Sequence, residues 1–174
     1  MSEQPLQQVL QKQSSQQSQL NKPLNAVESD IVQLIGFYIG DEEYAIPIIN
    51  IQEIIKPIEY TRVPSVPEYV LGVFNMRGNV MPLIDLASLF NLGHCEMGPH
   101  TRYIVLRREN ESGIVGDAGF VIDKLTEAIK MPRSKIDPPP QTLNSRNGMI
   151  LGIGKRDDGI LTILKAEALL KRNF

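Results

Sequence analysis

The chain has no tryptophan and only one cysteine, Cys95. A lone thiol excludes an intramolecular disulfide, so packing must hold the fold together. Five tyrosines and five phenylalanines, with no basic run beside them, are too few for a platform on which nucleic-acid bases could stack. Charge of one sign is also missing. A formal net charge of −2 gives no general attraction to a phosphate backbone or an anionic lipid surface. No apolar run approaches the ~18–20 residues that cross a bilayer. No charged-then-apolar segment of the secretory kind stands near Met1. These absences lead to the expectation of a soluble protein of a reducing cytoplasm. Its 174 residues fit about one domain, at ~100–200 residues per domain.

What is present begins with a tail. Residues 1–30 are dominated by Gln and Ser and carry one apolar cluster, Leu6, Val9 and Leu10. Such a segment cannot bury enough surface to offset its ordering entropy, and the expectation is a disordered tail. The alternative is an amphipathic helix docked on the body. From Ile31 the composition changes. Gln33–Ile39 and Tyr44–Ile48 are β-type runs around Gly40-Asp41-Glu42-Glu43, a first hairpin. Ile51–Lys56 (IQEIIK) follows, then Pro57, Pro64 and Pro67. Val73–Met76 and Val80–Ile84 make a second hairpin with Arg77 at its tip. Pro82, lacking an N–H, must stand at a free edge, at a bulge or where no ladder bond is needed, so the loop length stays open. Asp85 can cap a short helix over Leu86–Phe90.

From Thr101 the same order of elements returns. Tyr103–Arg107 and Gly113–Ile122 are strands around a polar turn at Arg108–Ser112. Leu125–Lys130 (LTEAIK) repeats IQEIIK, placing Glu127 where Glu53 stood. Leu151-Gly152-Ile153 repeats Leu71-Gly72-Val73, the strand Ile160–Leu164 repeats Val80–Ile84, and Lys165–Leu170 repeats the helix. The expected fold is mainly β: two packed five-stranded barrels with short helices, the halves lying at about 31–100 and 101–174. Closure removes exposed strand edges from units too small to stand alone. A groove lined by Val, Ile and Leu is expected at their junction.

Candidate chemistry is sparse. Gly152-Ile153-Gly154-Lys155 lacks the spacing of a phosphate loop and reads as a hairpin. His94, Cys95, Glu96 and His100 share a loop but match no zinc-ligand spacing, so no metal is expected. The carboxylate pairs Glu42/Glu43 and Asp157/Asp158 lie in polar turns, and no serine sits in a nucleophile elbow. Neither an active site nor a cofactor site is legible, and the expectation is a protein that is not an enzyme. Two charges still ask for a reason. Glu53 lies among Ile51, Ile54 and Ile55, and Arg77 caps an apolar hairpin. Each could simply reach water. Alternatively the pair marks a recognition surface, for which the rigid donor fork of arginine is suited. The second tip, Lys155-Arg156-Asp157-Asp158-Gly159, reads as an ordinary charged loop.

Three blocks, Gly40–Ile54 (GDEEYAIPIINIQEI), Leu71–Leu86 (LGVFNMRGNVMPLIDL) and Leu151–Leu164 (LGIGKRDDGILTIL), together resemble the chemotaxis coupling proteins of the CheW family. The resemblance runs from about Gln33 to Leu170. It implies two packed SH3-like barrels without catalytic activity, which bridge the cytoplasmic tip of methyl-accepting chemotaxis receptors to the regulatory domain of a histidine kinase. It further implies cytoplasmic localisation with recruitment to receptor arrays, no membrane insertion and no nucleic-acid partner. Carried over position by position, receptor contacts fall on Ile48, Ile51, Glu53, Gly72 and Arg77. Two departures stand out: Ala87-Ser88 where a basic residue is common after the IDL motif, and a longer Gln-rich tail. The absence of a receiver domain after Phe174 fits a plain adaptor. The rival expectation is a small-barrel module binding a ligand or nucleic acid.

Overall fold

A computed structural model describes residues 30–141 and 148–171, and of 109, 110 and 113–115 the backbone alone. The expected tail, apart from Asp30, lies outside the described residues. The elements run β1 (Ile31–Ile39), β2 (Glu42–Pro47), a 3-10 turn (Ile48–Asn50), β3 (Ile51–Ile55), β4 (Val70–Met76), β5 (Asn79–Asp85) and α1 (Leu86–Leu89). The repeat follows as β6 (Arg102–Asn110), β7 (Gly113–Ile122), β8 (Lys124–Pro132), a second 3-10 turn (Arg133–Lys135), β9 (Ile136–Asp137), β10 (Ile150–Arg156), β11 (Gly159–Leu164) and α2 (Ala166–Leu170). The fold is mainly β, as the alternating apolar runs require.

The strands form a five-stranded sheet ordered β3-β6-β7-β5-β4 and a six-stranded sheet ordered β8-β1-β2-β11-β10-β9. Replacing each strand of the first order by its repeat mate gives β8-β1-β2-β11-β10, which is the second without its added end strand β9. The repeat therefore survives in space, with the leading hairpins exchanged. β6 and β7 complete the sheet of β4 and β5, while β1 and β2 complete that of β10 and β11. Neither sheet is built from one half of the sequence alone, because the hairpins join through parallel pairs between β5 and β7 and between β11 and β2.

Each sheet buries both of its faces. Along β6 the side chains alternate between two cores: Tyr103 and Val105 in one, Ile104 and Leu106 in the other, all at most 1% exposed. That is why this strand reads as an unbroken apolar run. The first core holds Phe74, Met76, Met81, Leu83 and Val121 besides Tyr103 and Val105, with Ile55 and Leu71 packed on it. Its members come from every strand of the five-stranded sheet, including the end strands β3 and β4, so the sheet curls around it. Leu34, Ala45, Ile129, Met131, Leu161 and Ile163 fill the six-stranded sheet in the same way, with Ile136 of the end strand β9 against them. The largest core, with Phe37, Tyr44, Ile84, Leu106, Phe120 and Leu164, lies between the sheets. The junction expected to be a groove is thus closed by packing.

Pro82 finds its place by geometry. Val73, its partner across the β4–β5 ladder, spends both backbone groups on Thr61, with N···O distances of 2.8 Å each way. The Val73–Pro82 pair is therefore a non-hydrogen-bonded one, and the imino side of Pro82 faces β7, whose ladder begins only at Leu83. Thr162 occupies the same place in the repeat and does pair there, with Tyr44.

The segment at Thr61 also explains the repeated glycines. A Cβ on Gly72 would lie 2.1 Å from the Thr61 carbonyl oxygen, and one on Gly152 would lie 2.8 Å from that of Asp137. Each ladder slips one residue at this point, between Val70 and Gly72 and between Ile150 and Gly152. A chain segment crosses each curled sheet there, and only glycine admits it. Gly72→Ala should lower the unfolding free energy by ~1–3 kcal/mol in denaturant melts, the ordinary cost of overpacking. Gly98→Ala, with nothing within 4 Å of the new Cβ, should stay within ~0.5 kcal/mol.

Candidate functional site

The β4–β5 hairpin closes in two residues. Met76 pairs with Asn79, leaving Arg77 and Gly78 as the loop with φ of +53° and +83°. Positive φ at both central positions is the primed turn whose twist matches a hairpin. An arginine pays a steric penalty in that conformation which Gly78 does not. The turn is fixed by Asn75, whose Oδ1 accepts a hydrogen bond from the Gly78 N–H at 3.0 Å. This geometry aims the Arg77 side chain across the mouth of the curled sheet, where Nη2 meets Glu53 Oε1 at 2.9 Å. Arg77 stays 75% exposed and Glu53 28%. Because Glu53 lies on β3 and Arg77 leaves β4, the ion pair joins the two end strands of the sheet.

The other predicted contacts are distributed around this seam. Ile48 is half-buried in the 3-10 turn that leads into β3. Ile51 opens β3 and packs partly on the core between the sheets. A register slip between Ile51 and Glu53 turns Gln52 outward. Gly72 is buried against Thr61 and offers no surface. Two neighbours escaped the sequence reading. Ile49, in the same 3-10 turn, is 90% exposed. Arg107 lines a cleft of about 340 Å³ with Ile49, Asn50, Ile51 and Gln52. Its Nε is buried and has no hydrogen-bond partner among the described residues, a condition that costs ~1–3 kcal/mol. Nothing in the dipeptide Ile48-Ile49 says which side chain faces water; the 3-10 turn decides that.

The second tip is less ordinary than its sequence suggests. Arg156 sits one position earlier in its hairpin than Arg77 does, in register with Met76. It bonds Glu127, the repeat mate of Glu53, and its Nη1 reaches Glu43 at 3.1 Å. Thr126 donates to the same Glu43 carboxylate at 3.1 Å. Both halves therefore carry an arginine–glutamate pair, from the β4–β5 tip to β3 in one and from β10 to β8 in the other. The second pair is sunk into a four-residue network, with Arg156 only 24% exposed.

The loop of candidate metal ligands disperses its side chains. His94 lies 3.4 Å from Glu68 and 3.6 Å from the buried carboxylate of Asp85, which also caps α1 through the Ala87 N–H and accepts from the Cys95 N–H. Cys95 donates its thiol proton to Asp123 at 2.7 Å. Burial first, then that carboxylate, pushes the thiol well above its ordinary pKa, so it stays protonated and a poor nucleophile in neutral solution. Among the described residues no three His, Cys, Asp or Glu side chains converge to hold a metal ion. Lys155, the lysine of the apparent phosphate-loop fragment, instead pairs with Asp137 at 2.9 Å. No helix of the described residues is long and apolar enough to cross a membrane.

Curled β-sheets packed back to back, with a charged and partly apolar rim, define a docking module in structural terms. Residues 33–174 match the family model described as CheW-like domain. A chemotaxis protein CheW of Helicobacter pylori is 54% identical over 145 residues, covering 83% of this chain and 85% of that one. A chemotaxis protein CheW of Bacillus subtilis is 31% identical, covering 80% and 87%. The crystal structure of the scaffolding protein TtCheW from Thermoanaerobacter tengcongensis superposes with a TM-score of 0.68 at 29% identity, covering 77% of this chain and 84% of that one. The chain belongs to the CheW family.

The two seams should differ in stability. Arg156→Ala, which strands Glu43 and Glu127, should cost ~1–3 kcal/mol of unfolding free energy. Arg77→Ala, at a well-hydrated pair, should cost under ~1 kcal/mol. Chemical denaturation of both variants checks the order.

Proposed function

We propose that this chain is a non-enzymatic adaptor of chemotaxis, coupling the cytoplasmic tips of methyl-accepting receptors to the regulatory domain of the chemotaxis histidine kinase. Its place of work is the cytoplasm, at membrane-associated receptor arrays. The observation that carries the reading is the Arg77–Glu53 seam, set into a chain of the CheW family. The relatives named above are chemotaxis proteins, and one is called a scaffolding protein. A receptor tip is a helical hairpin, and an apolar rim accepts one face of a helix through anchors at helical spacing. Ile48 and Ile51 would supply apolar contact, while Glu53 and Arg77 fix register. Gly72 would act indirectly, by letting the segment at Thr61 cross and so setting where β4 leads.

The exposed Arg77 suits this role. Its left-handed backbone stores strain in the free protein, as recognition and clamp residues often do. Only one of its guanidinium nitrogens is used by Glu53, so the remaining donors face solvent and a partner. Contacts of this size are modest singly, and an array multiplies them through avidity. The rival, a nucleic-acid module, gains little from the charge pattern. The cleft of about 530 Å³ beside Arg156 is lined by Asp41, Glu42, Glu43 and Asp158, which repel phosphate.

Titration calorimetry against the cognate kinase regulatory domain and a recombinant receptor-tip hairpin tests the proposal. Both should bind the wild type. Arg77→Ala and Glu53→Ala should each weaken receptor-tip binding by about tenfold, with the melting temperature nearly unchanged. No binding to either probe at about 50 µM, some 6 kcal/mol of affinity, would contradict it.

A further inference from the structure

The internal repeat provides a control for the cleft at the first seam. Arg107 lies three residues before the end of β6, on the face that Tyr103 and Val105 turn into the sheet's own core. By ladder register Gly36 on β1 is the repeat mate of Val105, on the corresponding face of the other sheet, because their partners Ala45 and Gly119 hold matching places beside β11 and β5. A Cβ on Gly36 would meet Ile129 of that sheet's core at 3.1 Å and the hydroxyl of Thr126 at 2.3 Å. At the second seam, therefore, a glycine leaves room for Thr126, Glu43, Arg156 and Glu127 to satisfy one another. At the first seam Val105 fills the position of that glycine, and Arg107, the repeat mate of Tyr38, points a buried Nε toward the same core face with no acceptor for it among the described residues. Asp117 stands across the ladder from Arg107, yet no ion pair joins them among the described residues. Glu53 is already engaged by Arg77.

The cleft is thus lined by a cationic donor and by the 90% exposed Ile49. The missing component is an acceptor next to an apolar surface. We propose that Arg107 is a further receptor contact, taking the carboxylate of an Asp or Glu on the docking helix whose apolar stripe covers Ile49. This rests on the receptor-binding reading above and extends it to the chemistry of the helix. An acidic residue three or four positions from an apolar anchor would lie on the same helix face and reach Arg107 as the anchor covers Ile49. Rotation about the last side-chain torsions brings the edge formed by Nε and one Nη to that carboxylate. The planar fork accepts both oxygens, which lysine cannot reproduce. Binding then relieves a donor that the free protein leaves dry.

The test uses the full chain and two probes: a recombinant receptor-tip helical hairpin, and the same hairpin with the carboxylates flanking its apolar stripe changed to amides. Arg107→Met, which keeps the apolar stem, should bind the first probe about tenfold more weakly, with an equal or higher melting temperature. Arg107→Lys should recover only part of that loss. The amide hairpin should bind the wild type as weakly as Arg107→Met binds the unmodified one, and combining the two changes should add little. Full-strength binding by Arg107→Met, while Arg77→Ala is impaired in the same assay, overturns this inference and leaves the receptor reading standing. A loss that tracks a lowered melting temperature also overturns it. A wild type that binds neither hairpin overturns both.

Discussion

Each sheet in this protein curls around an inner core to which both of its end strands contribute, and the rest of the structure depends on that curl. Without it the two inner cores, around Phe74 and Leu83 in one sheet and Leu34 and Ile163 in the other, would face water. Nor could a 3-10 turn and a hairpin tip, far apart in sequence, share one rim. The exchange of hairpins between the halves adds a second constraint, since neither half of the chain can complete its sheet alone. Folding is therefore committed to pairing between strands distant in sequence, β5 with β7 and β2 with β11, and should be slow for a chain of this size.

The two seams solve the same geometric problem differently. At the second, Arg156 turns inward and is answered by Glu43 and Glu127, with Thr126 alongside. At the first, the arginine sits one residue later, at the turn itself, and the inward position belongs to Met76, which joins the core. A shift of one residue in a hairpin exchanges inside for outside. The same shift that buries Met76 leaves Arg77 in water with a single partner, and the buried Nε of Arg107 has none among the described residues. One rim is complete in itself, and the other carries unused donors beside an uncovered isoleucine.

Much of this was legible in the sequence, for physical reasons. Apolar alternation and turn residues placed the hairpins, Asp85 announced the cap of α1, and the paired Leu-Gly-Val and Leu-Gly-Ile blocks revealed the repeat. The exchange of hairpins was not legible, because pairing between distant strands leaves no local mark. β9 escaped for a related reason: two residues in a proline-rich stretch carry no period, yet their crossing is what Gly152 accommodates. Glu53 and Arg77 stood out as charges in apolar settings. Ile49 and Arg107 did not, since exposure of one and burial of the other are set by a 3-10 turn and by strand register. Arg156 looked like a solvated turn residue because its two partners, Glu43 and Glu127, come from β2 and β8.

The central claim is that the two pseudo-equivalent rims are functionally unlike, one open to a partner and one closed upon itself. Hydrogen exchange in the presence of a receptor-tip hairpin reads both rims in one measurement. The account predicts slowed exchange in residues 48–53 and 76–79 and no change at 155–159. Equal slowing at both rims, or slowing at 155–159 alone, would contradict it.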